Sequence, residues 1–202
     1  SNRAGADLAS SDVVQALRER FAAALRDRDE QAPTAAPVRL LEKTPKNALR
    51  IPFLQRVFPE ARFVYLYRDP REVLASMIEA WQSGRFRTYP RLPGWNGPPW
   101  SLLLVPGWRE LSGKPLHEIV AAQWEATTRV LLDDLHGVPA ERVSVVRYDA
   151  LQQDPQAAMQ TLCAQLDLEW DQQLDATLPA SRYTVSAPAP EKWRRHEDVI
   201  AA

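Results

Sequence analysis

The stretch "RFVYLYRDPREVLASMIEAW", residues 62–81, constrains the fold more than any other part of the chain. Residues 62–67 are almost unbroken in apolar and aromatic character, which predicts a strand covered on both faces within a parallel sheet. The pattern switches to a helix at Arg68. Asp69, Pro70 and Glu72 fit the N-cap, N1 and N3 positions of a capping box, and Val73, Leu74, Met77, Ile78 and Trp81 form one apolar stripe. Upstream, "VRLL" (38–41) predicts a short buried strand. A helix follows it, with Thr44 as cap and Pro45 in its first turn, and Pro52 should kink or split that helix. Downstream, "RVSVVRY" (142–148) predicts a third buried strand, and Asp154 and Pro155 start the helix after it. Strands alternating with helices predict an α/β fold, a three-layer arrangement with a parallel sheet flanked by helices.

A chain of 202 residues, 45% hydrophobic and 25% charged, supports one substantial core and hence a single domain over 1–202. "SSDVVQALRERFAAALRDRDE" is an amphipathic helix on Val14, Leu17, Phe21 and Leu25, with Ser11 or Asp12 as its N-cap, and "QAPTAAP" is a linker. Residues 84–113 hold most of the glycines and three of the seven tryptophans. They predict a long loop or lid, either an acceptor pocket or a structural loop packed on the core. "LHEIVAAQWEATTRVLLDDLHG" returns to the helical period, and the tail "SRYTVSAPAPEKWRRHEDVI" is broken by prolines and then basic.

The formal charge of −1 argues against nucleic acid or an anionic membrane as the main partner. No apolar run is long enough to span a bilayer and no signal-peptide pattern opens the chain, so a soluble protein is expected. A single cysteine, Cys163, excludes an internal disulfide and fits a reducing, cytoplasmic compartment. His117, His136 and His196 show no metal-ligand spacing, and no metal is expected.

In open parallel sheets, ligands bind beyond the carboxyl ends of the strands. Glu42-Lys43-Thr44, Arg68-Asp69 and Tyr148-Asp149 all fall at such ends. Arg68, beside a helix N-terminus, suits a phosphate; equally, it could simply pair with Asp69 or Asp149. Ser76, off the apolar stripe, either meets the same anion or faces solvent. Lys43 could be a fixed cation and Glu42 a base, or the two a solvated surface pair. Tyr148 offers a face for a nucleobase or belongs to the core. Lys192, Trp193, Arg194 and Arg195 could close over a nucleotide or form a charged tail. Neither G-x-G-x-x-G nor G-x-x-x-x-G-K-[ST] is present.

"LLEKTPKNALRIPFLQRVFPEARFVYLYRDPREVLASMIEAW", residues 40–81, resembles the central block of sulfotransferases that use 3′-phosphoadenosine 5′-phosphosulfate (PAPS), especially the bacterial type related to the tyrosylprotein and heparan enzymes. The match joins an acidic-Lys-Thr-Pro turn, an "FPEARF" strand entry and an Arg-Asp-Pro turn with a serine eight residues after the arginine. "VVRYDALQQDPQAAMQTLCAQLDL" is similar to the later strand-Tyr-helix block and "PEKWRRH" to the closing segment, so the resemblance covers most of residues 38–196. It implies a P-loop-NTPase-like fold in which Arg68 and Ser76 bind the 3′-phosphate, Tyr148 lies by the adenine, and Lys192, Trp193 and Arg194 close the nucleotide. It also implies Lys43 near the transferring sulfuryl group, PAPS as donor, adenosine 3′,5′-bisphosphate as product, a small-molecule, peptide or glycan acceptor, and no metal.

Two departures stand out. Pro45 occupies the place of a histidine base found in many cytosolic members; the resemblance to heparan-type members, some of which place a glutamate at the position of Glu42, implies Glu42 as candidate base, with a carboxylate from an absent segment as the alternative. The family's first strand and its Ser/Thr-Gly loop for the 5′-phosphosulfate have no match before Val38, so a truncated or partial polypeptide is expected. The competing readings are a nucleotide-binding or interaction module that retains only the 3′-phosphate site, and a P-loop kinase.

Overall fold

The computed structural model describes residues 1–27, 29–34, 38–179, 184–187, 189 and 191–200. In chain order the regular elements are α1 (Ser11–Ala24), α2 (Ile51–Val57), β1 (Phe63–Tyr67), α3 (Pro70–Ser83), β2 (Arg87–Tyr89), β3 (Trp100–Ser101), α4 (Leu116–His136), β4 (Val143–Arg147), α5 (Tyr148–Gln153), α6 (Pro155–Gln165) and α7 (Glu197–Ile200). β1 and β4 pair in parallel, with Phe63 opposite Val143 and Tyr67 opposite Arg147. Joining parallel strands requires a long crossover, and α3 and α4 lie within it. β2 and β3 form a separate antiparallel pair. The α/β class expected from the sequence therefore holds, with helices α5 and α6 packed on β4.

The boundaries follow local chemistry. The Ser10 hydroxyl, one residue before the expected cap, accepts from Val13 N–H and starts α1. Val14, Leu17, Phe21 and Leu25 are half-buried along its inner side. The helix after "EKTP" splits as the proline implied: a 3-10 turn over Pro45–Leu49 ends at Arg50 (φ −138°, ψ 16°), and α2 follows with Pro52 in its first turn. Asp154 accepts from Ala157 N–H and opens α6 behind Pro155. α3 ends where Gly84 adopts φ 64°, a left-handed value that glycine reaches without a Cβ clash.

Two expectations fail. Residues 38–41 form no strand: Val38, Leu40 and Leu41 are exposed, Leu41 at 89%, and among the described residues no strand lies beside them to pair their backbone. The segment is anchored instead by Arg39, whose guanidinium donates to the Leu166 carbonyl at 2.7 Å. β1 is likewise not covered on both faces, because a two-stranded sheet offers little surface to cover it. Val64, Leu66 and Tyr67 are exposed, as is Val145 of β4. Residues 35–37 of the linker, and residues 181–183, 188 and 190 of the proline-broken tail, lie outside the described residues.

The core sits elsewhere, where Leu49, Ile78, Trp81, Trp100, Leu104, Val105, Trp108, Leu111, Ile119 and Val120 pack together. Residues 84–113, expected as a loop or lid, contain the β2–β3 pair and supply half of this cluster. Trp100 is fully enclosed, with Trp81, Trp95 and Trp108 edge-on to it at centroid distances of 5.3, 4.9 and 6.2 Å. Edge-to-face contacts suit the aromatic quadrupole. Buried Gln123 of α4 accepts from Trp81 Nε1 at 3.0 Å and donates to the carbonyls of Ser101 and Leu103 at 3.0 and 2.6 Å. The N-terminal residues are tied to the same core. Asn2 N–H donates to the Leu104 carbonyl at 2.6 Å, Leu104 N–H returns a 2.7 Å bond to Asn2 Oδ1, and Arg3 makes a two-pronged ion pair with Asp134. Among the described residues no helix is long and apolar enough to cross a membrane.

Candidate functional site

β1 and β4 end side by side because they pair in register, so Arg68, immediately after β1, faces Tyr148, immediately after β4. A cleft of about 600 Å³ opens there, lined by Tyr67, Arg68, Asp69, Pro70, Glu72, Arg147, Tyr148, Asp149, Gln152 and Ala189. That volume is within the range of small-molecule and cofactor sites. The Arg68 guanidinium lies over the Tyr148 ring, 5.2 Å from its centroid, and donates to Glu72 Oε2 at 2.7 Å.

The sequence offered Asp69 or Asp149 as partners for Arg68, and the structure uses neither. Asp69 accepts from Arg71 N–H at 2.9 Å and from the Arg71 guanidinium at 3.1 and 2.7 Å. Those side-chain bonds hold the Asp69 carboxyl below the usual carboxylate range. Asp149 is chelated by Arg147, which likewise lowers its pKa. The capping box is therefore half-formed: Asp69 caps α3, but Glu72 reaches sideways to Arg68 instead of back to the cap. Each carboxylate of the cleft is thus matched to an arginine, and Arg68, with five N–H donors, keeps donors for a further anion. The free N–H groups at the start of α3 add partial positive charge beside it. A phosphate-bearing ligand fits this set.

The other residues singled out in the sequence are spread more widely. Ser76 lies half-buried on α3, two turns beyond Arg68, and does not line the cleft. Lys192 donates from Nζ to Glu79 Oε2 at 2.7 Å, with only 9% and 13% of the two side chains exposed. Trp193 is buried beneath two guanidinium groups, Arg71 at 4.6 Å and Arg194 at 5.1 Å from its ring centroid. Glu42 and Lys43 are exposed and stand apart from the cleft lining. Glu42 accepts from Thr44 Oγ1 at 2.5 Å through one oxygen and from Asn47 Nδ2 through the other. Thr44 consequently spends its hydroxyl on Glu42 and does not cap the following turn with it. Among the described residues no group of His, Cys, Asp and Glu could hold a metal ion.

Sequence reasoning missed four contributors: Glu72 as the partner of Arg68, the Arg147–Asp149 pair on the opposite wall, Arg71 over Trp193, and Glu79 under Lys192. Arg68 and Glu72 are four residues apart across the start of α3, a short sequence spacing that could have been read. The Glu79–Lys192 pair joins residues 113 apart and left no local signal.

A model of the sulfotransferase family matches residues 3–172. Two relatives, both named provisionally as protein-tyrosine sulfotransferases, align over 136 residues: one from Caenorhabditis briggsae at 29% identity, covering 67% of this chain and 39% of the relative, and one from Caenorhabditis elegans at 28%, covering 67% and 42%. The chain spans about two fifths of the length of these relatives. A solved structure, the sulfotransferase domain from the curacin biosynthetic pathway, superposes with a TM-score of 0.46 at 18% identity, covering 82% of this chain and 63% of that one.

Proposed function

The chain belongs to the sulfotransferase family, and from that premise we propose that it binds PAPS and transfers its sulfuryl group to a hydroxyl or amine acceptor. One observation carries the reading: Arg68 stands at the carboxyl end of β1, beside the start of α3 and across the cleft from Tyr148. In this proposal Arg68 grips the 3′-phosphate with the guanidinium donors it does not spend on Glu72, and Ser76 adds a hydroxyl from the helix flank. The Tyr148 ring stacks beside the adenine. Lys192, Trp193 and Arg194 belong to the closing segment, with Lys192 held at Glu79.

The cofactor supplies the activated sulfuryl group. For the protein's part, Glu42 is the candidate base, held in orientation by Thr44 and Asn47 while each oxygen keeps a lone pair for the acceptor proton. Lys43, which has no ion-pair partner among the described residues, steadies negative charge that builds on the leaving phosphate. An acceptor with an apolar or aromatic body remains part of the proposal, and a tyrosine side chain meets that description. The tryptophans of residues 84–113 pack largely with the core, and a shallow hollow beside them, lined by Trp81, Arg87, Pro98, Pro99 and Leu116, is the candidate place for that acceptor body.

A second reading, a nucleotide-binding module without transfer, is favoured by one feature: none of the described residues lining the cleft is a glycine that would let a backbone loop cradle a second phosphate. Two measurements decide. Thermal stabilisation by adenosine 3′,5′-bisphosphate and not by Mg-ATP supports the sulfotransferase site over a kinase. Transfer of label from PAPS to an acceptor separates the enzyme from the module, and absence of both binding and transfer overturns the proposal.

A further inference from the structure

The segment 191–196 is docked on α3 by an enclosed ion pair, Lys192 with Glu79, between residues 113 positions apart in the chain. Glu79 is two turns past the start of the cleft's helix, on the flank it shares with Ser76 three residues earlier. Its Oε2 accepts from Lys192 Nζ and from Ser186 Oγ, both at 2.7 Å, and Lys192 Nζ also donates to the Ser186 carbonyl at 3.4 Å. One carboxylate thereby gathers two points of the tail. Next to Lys192, Trp193 is buried against Arg71. Arg71 in turn grips Asp69, the N-cap beside Arg68. Three residues before Lys192, Ala189 forms part of the cleft wall.

We infer that Glu79 is a positioning residue for the cleft: through Lys192 and Ser186 it seats the tail so that Trp193 supports the Arg71–Asp69 cap and Ala189 completes the wall beside Arg68. Glu79 itself touches no ligand. The inference rests on the proposed nucleotide-binding function and adds to it a coupling: the binding-competent cleft exists only while the tail is docked. Apparent affinity is then proportional to the fraction of molecules whose tail is docked, and by reciprocity a ligand of the cleft must favour docking. Removing one partner of an enclosed ion pair leaves the other charge uncompensated, so the docked fraction is sensitive to either residue.

The test uses Glu79→Gln, which keeps the shape and removes the charge, Lys192→Met, and the exchanged pair Glu79→Lys with Lys192→Glu. Two readouts are taken on each: the rate of trypsin cleavage at Arg194 and Arg195, and affinity for adenosine 3′,5′-bisphosphate by calorimetric titration. In the unaltered protein the bisphosphate should slow cleavage. In each single variant cleavage should accelerate and affinity fall about tenfold, the effect of lowering the docked fraction to roughly one in ten; the exchanged pair should recover part of both. A tail that only stabilises the helix would alter cleavage and leave affinity unchanged, and that result overturns the inference. Unaltered cleavage in both single variants also overturns it. If the unaltered protein fails to bind the bisphosphate at all, the proposed function falls and the coupling falls with it, whereas binding that ignores Glu79 removes the coupling alone.

Discussion

The molecule has two halves that handle apolar surface in opposite ways. Around the tryptophans, α3, α4 and residues 84–113 enclose Trp100 and Val120 completely and leave Gln123 with both ends of its amide hydrogen-bonded. Around β1 and β4, Val64, Leu66 and Val145 remain exposed, and the polar groups are concentrated in one cleft where the strands end. The buried core is concentrated in the first half and the candidate site in the second, joined by α3, which starts beside Arg68 behind its Asp69 cap and carries Trp81 near its other end. Substitutions in the two halves should therefore be separable by what they disturb.

The largest effect is expected from Trp100→Ala, which empties the centre of the aromatic cluster and should cost about 3–5 kcal/mol of unfolding free energy, measured by urea denaturation. A loss under about 1 kcal/mol would mean that the tryptophan cluster is not the structural half. Next, Arg68→Ala should weaken adenosine 3′,5′-bisphosphate by about 1.5–3 kcal/mol, the range for a hydrogen bond to a charged group, while leaving the denaturation midpoint in place. A matching loss of stability would erase the contrast between the halves. Leu66→Thr, on the bare sheet face, should change stability by no more than about 0.5 kcal/mol, and a much larger loss would show that this face is covered in solution.

The smallest effect concerns acid. Burial pushes the Glu79 carboxyl up, but the hydrogen bonds from Lys192 and Ser186, with the charges of Lys192 and His196, outweigh it and leave it below the ordinary glutamate range. A carboxyl whose folded value is depressed contributes fully above its unfolded value, and that contribution is lost as pH falls through the folded one. Tail docking should thus persist at neutral pH and weaken only in the acid range below the ordinary glutamate value. Glu79→Gln should flatten that dependence when trypsin-cleaved tail is scored after brief acid exposure.

Local signals carried much of this architecture. The strand-to-helix switch at Arg68, the proline split before α2 and the Asp154 start of α6 all depend on neighbouring residues, and each was legible. What was not legible depended on partners distant in sequence. "VRLL" has strand composition, yet a buried strand needs neighbours on both sides, and composition does not report whether they exist. Residues 84–113 looked like a loop because prolines and glycines punctuate them, although their tryptophans face the core. At the site, the convergence of Arg68 with Tyr148 followed from the strand ends, but the partner of Arg68 depended on a choice between Asp69, Glu72 and Asp149 that only geometry resolves.

The central claim is that the cleft between β1 and β4 reads a 3′-phosphate through Arg68. Its most direct test is a calorimetric comparison of adenosine 3′,5′-bisphosphate with adenosine 5′-monophosphate, on the unaltered protein and on Arg68→Ala. The account expects the unaltered protein to prefer the bisphosphate by at least about tenfold, or about 1.4 kcal/mol, and expects Arg68→Ala to lose most of that preference. Equal affinity for the two nucleotides in the unaltered protein, or a preference that survives in Arg68→Ala, would contradict it.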